Sequence, residues 1–174
     1  FRALFGLWRH HFARAELQRG REIGEELLQR AQASQDGDHL LVAHAALGMS
    51  LYFLGEIAAA RGHLEEGVRL YDPEWHRSQA SVYGRDAGLS GYCYLAQALW
   101  ALGYPDQARN RMEAALSLAR RQTDPYTLTL VLYYVSVLHN YRGEWQESQA
   151  QNEAMLALAT ERGFPLWAAA GAMN

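Results

Sequence analysis

Apolar residues along this 174-residue chain fall into two alternating registers. In segments 39–54, 88–102 and 125–141 they occur on nearly every side of a helical projection, as with Leu40, Leu41, Val42, Leu47, Met49, Leu51 and Phe53 in the first. A helix that is apolar all round packs between neighbours. Each of these segments is followed by one (57–71, 105–121 or 145–162) whose apolar positions keep to one face at helical spacing. That is the pattern of an outer helix with one wet side. The alternation predicts helix pairs arranged as an inner and an outer layer.

The junctions repeat as well. A phrase built on a small turn residue reads ARAELQRGR from Ala13, FLGEIAAAR from Phe53, ALGYPDQAR from Ala101 and YRGEWQESQ from Tyr141. Its turn positions are Ala15, Gly55, Gly103 and Gly143, so the separations by subtraction are 40, 48 and 40 residues, a period typical of solenoids. Glu25, Glu65, Glu113 and Glu153 keep the same register, and so do Leu28, Val68, Leu116 and Leu156. Pro105 and Pro125 sit where a first helical turn tolerates proline, Asp124 is placed to cap the helix it precedes, and Gly163 with Pro165 ends one helix and opens the next. The expectation is an all-α, right-handed superhelical solenoid with units at about 1–36, 37–86, 87–123 and 124–163 and a partial fifth over 164–174, making eight helices and part of a ninth. The extra eight residues of the middle separation fall in the segment 72–86, which reads as a structured loop or short helix.

Composition narrows the function classes. With 49% hydrophobic residues the chain has material for a real core, and a formal charge of −3 with Arg and Glu interspersed gives no basic footprint for nucleic acid. All 16 basic residues are Arg, so lysine chemistry, from a phosphate-loop lysine to a Schiff base, is excluded. A single cysteine, Cys93, rules out an intrachain disulfide and a multi-cysteine zinc site. The longest apolar run, 128–138, is far short of the ~20 residues that span a bilayer, and no signal-peptide pattern precedes it. A cytoplasmic address is the expectation. The sequence opens on Phe1 and stops at Asn174 within an apolar helical pattern, which reads as an excised piece of a longer protein.

Catalytic constellations are weak. His10 with His11, His39 with His44, and His63 with Glu66 lack the spacing of a metal-binding helix, and Gly88, Leu89, Ser90, Gly91 is not a nucleophile elbow. Neighbouring pairs such as Glu25 with Glu26, and Glu65 with Glu66, diverge by about 100° on a helix and read as solvated faces. No catalytic residue, metal or cofactor is assigned.

The residues at the predicted helix crossings carry a family resemblance. Leu47, Gly48, Leu51, Gly55, Ala60, Leu64 and Gly67, and again Leu95, Ala96, Leu99, Gly103, Ala108, Met112 and Ala115, resemble the small-large-small pattern of tetratricopeptide repeats. The first and fourth units depart from it at Gly20 and Gly24, and at His139, Ser148 and Asn152. A unit near 40 residues resembles the longer repeats of MalT-like bacterial regulators. The stretches LYDPEWHRSQASVYGRDAG, ALWALGYPDQA and LALATERGFPLWAAAG resemble the carboxy-terminal repeat region of bacterial multidomain adenylate/guanylate cyclase–ATPase signalling proteins. The resemblance implies a non-catalytic regulatory scaffold that binds a protein or peptide segment, from a partner or from its own parent chain, in a concave groove.

The groove-facing positions of tetratricopeptide arrays fall here on Phe5, Arg9, Phe12, Met49, Tyr52, Gln97, Trp100, Tyr133, Val137, Asn140 and Tyr141. Of these, Arg9, Tyr52, Gln97, Trp100, Tyr133, Asn140 and Tyr141 form the expected partner-binding set, since Tyr, Trp and Arg dominate interface energetics. The same aromatics also suit inter-helix core. A second candidate is the insert, where Trp75, His76, Tyr83, Arg85 and Asp86 gather recognition-type side chains in a loop the other units lack; they equally suit a plug between units two and three. Two other readings stay open: a small-molecule sensor with Arg9, Gln97 and Asn140 orienting a polar ligand, and, against the acidic balance, an RNA-reading array. Apolar residues at both ends (Leu4, Phe5, Leu7, Trp8; Phe164, Leu166, Trp167) predict end-to-end self-association, because solenoids need polar caps to stay soluble.

Overall fold

In the computed structural model the described residues are 1–76, 86–122 and 124–172. They form ten helices, with no strand among them: α1 (Arg2–Ala13), α2 (Leu17–Ser34), α3 (Gly37–Phe53), α4 (Ile57–Leu70), the short α5 (Pro73–His76), α6 (Ala87–Ala101), α7 (Pro105–Arg121), α8 (Pro125–Arg142), α9 (Trp145–Arg162) and α10 (Pro165–Ala172). Leaving α5 aside, every helix packs on its successor, and α1, α3, α6, α8 and α10 also pack on one another in chain order. These five form the inner layer, with α2, α4, α7 and α9 outside it. The segregation follows from the side chains: α3 and α6 bury residues all round, whereas α4 buries only Ala60, Leu64 and Gly67 along one stripe.

One device closes every inner-to-outer turn. Ala15, Gly55, Gly103 and Gly143 adopt the left-handed conformation, with φ of 57°, 81°, 82° and 72°. The next residue's amide then reaches back five residues, as in Glu16 to His11 and Glu56 to Leu51 at 3.0 Å, Tyr104 to Leu99 at 2.9 Å and Glu144 to His139 at 3.0 Å. This is the Schellman arrangement, which satisfies carbonyls that a helix end leaves open. The inner helices α3, α6 and α8 each begin at an aspartate, Asp36, Asp86 or Asp124, whose carboxylate accepts the amide of the third residue on at 2.9–3.0 Å.

The units that depart from the repeat pattern are compensated in different ways. Gly20 and Gly24 bring α2 close to α3, and a Cβ on Gly24 would lie 3.1 Å from Leu47 Cα. Beside Gly20 sits Trp8, fully buried, whose indole N–H donates to Ser50 Oγ at 3.0 Å. In the fourth unit polar side chains bond instead of packing: the Ser148 hydroxyl donates to the Ser136 carbonyl at 2.9 Å, and Asn152 Nδ2 donates to the Gly171 carbonyl at 2.9 Å.

Candidate functional site

The inner layer curves far enough that α1 and α10 face the same space. Between them lies a cavity of about 510 Å³, lined by Gly6, Arg9, His10, Phe12 and Ala13 of α1, Tyr94 of α6, Tyr126, Leu130 and Tyr134 of α8, and Leu166 and Trp167 of α10. The local sequence explains the opening. Gly6, Ala46, Tyr94 and Tyr134 share one register, nine residues before their turns, so the first two units present small residues where the last two present tyrosines. A Cβ at Gly6 would meet nothing within 4 Å.

An unbroken aromatic train runs along this side of the array. Centroid separations are 5.4 Å for Phe5–Trp8, 4.9 Å for Trp8–Phe12, 5.5 Å for Phe12–Phe53, 5.7 Å for Phe53–Tyr94, 5.0 Å for Tyr94–Tyr134, 5.2 Å for Tyr134–Tyr133, 5.5 Å for Tyr133–Trp167 and 6.1 Å for Trp167–Tyr126. All lie within the range in which ring pairs attract. The Tyr134 hydroxyl donates to the Tyr94 hydroxyl at 2.5 Å, tying α8 to α6 across the floor. Phe5, Trp8, Tyr94 and Trp167 are buried in this train, whereas Phe12, Tyr126, Tyr133 and Tyr134 keep part of their surface open, with few rotamers left to freeze on binding.

The seven expected partner-binding residues separate into groups. Arg9 is exposed and lines the cavity, and Tyr133, half-buried, abuts the cavity residues Tyr134 and Trp167. Tyr52, Trp100 and Tyr141 gather instead beside the turns: Trp100 stacks on Tyr141 at 6.4 Å and 17°, and Tyr52 meets Tyr94 edge-on at 5.8 Å. Burial first, then the neighbouring Tyr141 and Tyr94, push the Tyr52 hydroxyl pKa up to about 12. Asn140 is half-buried on α8. Gln97 is 3% exposed; its amide N–H donates to the Tyr134 carbonyl at 3.4 Å, and its Oε1 has no partner among the described residues. Of the other expected lining positions, Phe5 and Met49 lie in the core, and Val137 is half-buried.

Within the insert, Trp75 and His76 bind the array itself. The Trp75 indole donates to the Asp38 carboxylate at 3.1 Å, and His76 Nε2 lies 3.2 Å from the same group. Asp86 is buried, capping α6 and accepting the Tyr71 hydroxyl at 2.6 Å, while Gln122 Nε2 donates to that hydroxyl at 2.6 Å. Burial raises the Asp86 pKa, opposed by these hydrogen bonds. Tyr83 and Arg85 lie outside the described residues.

Reactive groups elsewhere are occupied structurally. Ser90 is buried and its hydroxyl donates to the Asp86 carbonyl at 2.8 Å; Cys93 is buried, and burial drives its thiol pKa up. Glu25, Glu26, Glu65 and Glu66 each pair with an arginine one helical turn away. His44 and His63 approach through their Nδ1 atoms at 3.1 Å, yet no group of three His, Cys, Asp or Glu among the described residues is placed to hold a metal. No described helix is long and apolar enough to cross a membrane.

His10, Tyr94, Tyr126, Leu130, Tyr134 and Trp167 line the cavity without having been placed in the groove from sequence, where Trp167 was read as an end face. The signal for two of them was available, since Tyr94 and Tyr134 stand one unit apart, 40 residues, in the same register. At the ends of the array, Phe5, Trp8 and Trp167 are buried within the chain, which leaves Leu7 and Leu166 as the exposed large apolar residues of those faces.

No curated protein matches the chain. Among solved structures, it is similar to a Rap protein complexed with Competence and Sporulation Factor (TM-score 0.77, 12% identity), over 96% of this chain and 45% of that one. The chain therefore spans less than half the length of that Rap protein. It is also similar to a Podosopora anserina putative kinesin light chain with nearly identical TPR-like repeats (TM-score 0.64, 17% identity, 92% of this chain and 75% of that one). Tetratricopeptide repeats generally mediate protein–protein interaction, and the proteins that carry them are typically non-catalytic scaffolds. The tetratricopeptide repeat family model matches residues 41–66 and 89–114, most of α3 and α4 and then most of α6 with the first part of α7, and the array that holds both has the TPR-like superhelical fold.

Proposed function

We propose that the chain is the regulatory interaction module of a multidomain signalling protein, capturing a protein or peptide segment in its concave groove without catalysing a reaction. The observation that carries the reading is the aromatic-walled cavity of about 510 Å³ between α1 and α10. Rings locked by mutual contact supply anchoring area, and Arg9 supplies a directional polar contact at the rim. Similarity to a Rap protein complexed with Competence and Sporulation Factor supports the same use of the array. The resemblance to cyclase–ATPase signalling proteins makes the parent's own domains a natural source of the segment.

The test is an array of overlapping 15-residue peptides tiling the full parent protein, probed with the labelled chain. Discrete binders should appear, and they should be lost in a Tyr133→Ala/Tyr134→Ala variant whose helicity is unchanged. Binders that survive the double substitution, or none at all, would overturn the reading.

A second reading has one observation in its favour: the cavity volume lies within the few hundred to ~1,000 Å³ usual for small-molecule sites. On this reading the chain is a metabolite sensor of the MalT-like kind. A thermal-shift screen of metabolites separates the two, because a ligand at a hundredfold excess over Kd stabilises by about 2.7 kcal/mol.

A further inference from the structure

The packing of α3 on α4 brings together two imidazoles that the α1–α10 cavity does not use. His44 on α3 and His63 on α4 point their Nδ1 atoms at each other across 3.1 Å, with ring centroids 5.3 Å apart. Each ring is half-buried, so it is held by its surroundings yet open to an ion and to water. Burial, and at His44 also the facing His63, lowers both pKa values against the pull of Glu66 on His44 and Glu25 on His63, so both rings are neutral near pH 7. Neutral imidazole is the form that binds metals.

Without an ion, one ring donates its Nδ1–H to the other. That arrangement already has the bite of a chelate. Two zinc–nitrogen bonds of ~2.0–2.1 Å spanning the 3.1 Å gap enclose an angle of about 95–100° at the ion, between the right angle of octahedral coordination and the wider one of tetrahedral coordination. Binding requires only that the shared proton move, through water, to the Nε2 of its own ring, so the neutral pair releases none. Two carboxylates, Glu25 and Glu66, act electrostatically on the pair and favour a cation, with Arg69 opposing them. No third His, Cys, Asp or Glu is placed to join the pair among the described residues, which leaves the other coordination positions to water.

We propose that His44 and His63 form a two-nitrogen site for a divalent transition-metal ion of the zinc type, tying inner helix α3 to outer helix α4. Imidazole suits zinc, copper and nickel, whereas magnesium and calcium take oxygen ligands. The site is independent of groove capture, since neither ring lines the α1–α10 cavity.

The test titrates zinc chloride into the whole chain at pH 7.5. One ion per chain should bind, and long-range 15N NMR of the imidazoles should move the Nδ1 signals of two of the seven histidines while leaving the others in place. His44→Asn or His63→Asn should each weaken binding by at least about tenfold, because the second nitrogen of a chelate binds intramolecularly, whereas His39→Asn should leave it unchanged. Zinc should also slow amide exchange in α3 and α4, and magnesium should do none of this. Shifts confined to other histidines, or binding that survives both substitutions, would mean an adventitious ion only and overturn the site, as would no binding at millimolar zinc.

Discussion

Replacing Ala15 by glycine should stabilise the protein, although it removes a methyl group and adds no contact. Ala15 holds φ at 57°, in the position where the equivalent turns carry Gly55, Gly103 and Gly143. Left-handed backbone costs an L-residue about 1–2 kcal/mol. Glycine relieves that cost but adds about 0.4–1 kcal/mol of unfolded-chain entropy. The difference leaves Ala15→Gly more stable by about 0.5–1 kcal/mol, or roughly 2 °C in Tm for a domain of this size. Since Ala15 is exposed, no packing is lost in exchange. The reciprocal change, Gly103→Ala, should destabilise by a similar amount: its added Cβ meets nothing within 4 Å, so the whole effect comes from φ, at 82°. Thermal unfolding of both variants, with amide exchange at residues 14–17 and 102–105 as a local readout, checks the pair. A neutral or destabilising Ala15→Gly alongside a harmless Gly103→Ala would show that the Schellman geometry does not set the energetics of these turns.

Gly88→Ala should cost about 1–3 kcal/mol by overpacking, because its Cβ would fall 2.0 Å from the Tyr71 ring, itself pinned by Asp86 and Gln122; Tm falling by less than a degree would contradict the buried node. Tyr71→Phe should cost about 1–3 kcal/mol by leaving buried Asp86 and Gln122 without their shared partner, measurable by denaturant unfolding. Burial, and for His44 also the facing His63, holds both imidazole pKa values below their ordinary 6.5, so the unfolded chain takes up protons first as pH falls. Stability should therefore be full above about 6.5 and decline as pH drops through that value, with His63→Gln flattening the decline in Tm between pH 7.5 and 5. End-to-end association through the exposed Leu7 and Leu166 should appear in sedimentation as mass growth at rising concentration, which Leu166→Glu should abolish.

The layers and turns were legible because each rests on a local rule. All-round against one-sided apolar patterns separated inner from outer helices, and glycine or proline marked every inner-to-outer turn but the first. Asp86 illustrates where local rules collide. The same residue suits a recognition loop and a helix cap, and only the approach of Tyr71 and Gln122, the latter 36 residues on (122 − 86), shows it buried beneath them. Gln97, read as groove lining, lies within the inner layer because the crossing of α6 and α8 covers it, a quantity no periodicity encodes. The cavity itself was beyond reach for a related reason. Arg9 and Trp167 stand 158 residues apart (167 − 9), and their meeting is the sum of several small inter-unit rotations, none of them written in a motif.

That meeting of α1 with α10 sets this array apart from a solenoid used as a straight shelf, where each unit offers its own contacts and units can be added or removed at little cost to the rest. Here the count of units is part of the specification. Inserting one more helix pair between α4 and α6 would swing α10 past α1, and deleting one would pull it short; either way Arg9 and Trp167 would no longer border a common space. Growth or loss of repeats, tolerated elsewhere in such architectures, would in this chain erase the chamber while leaving every individual unit well folded.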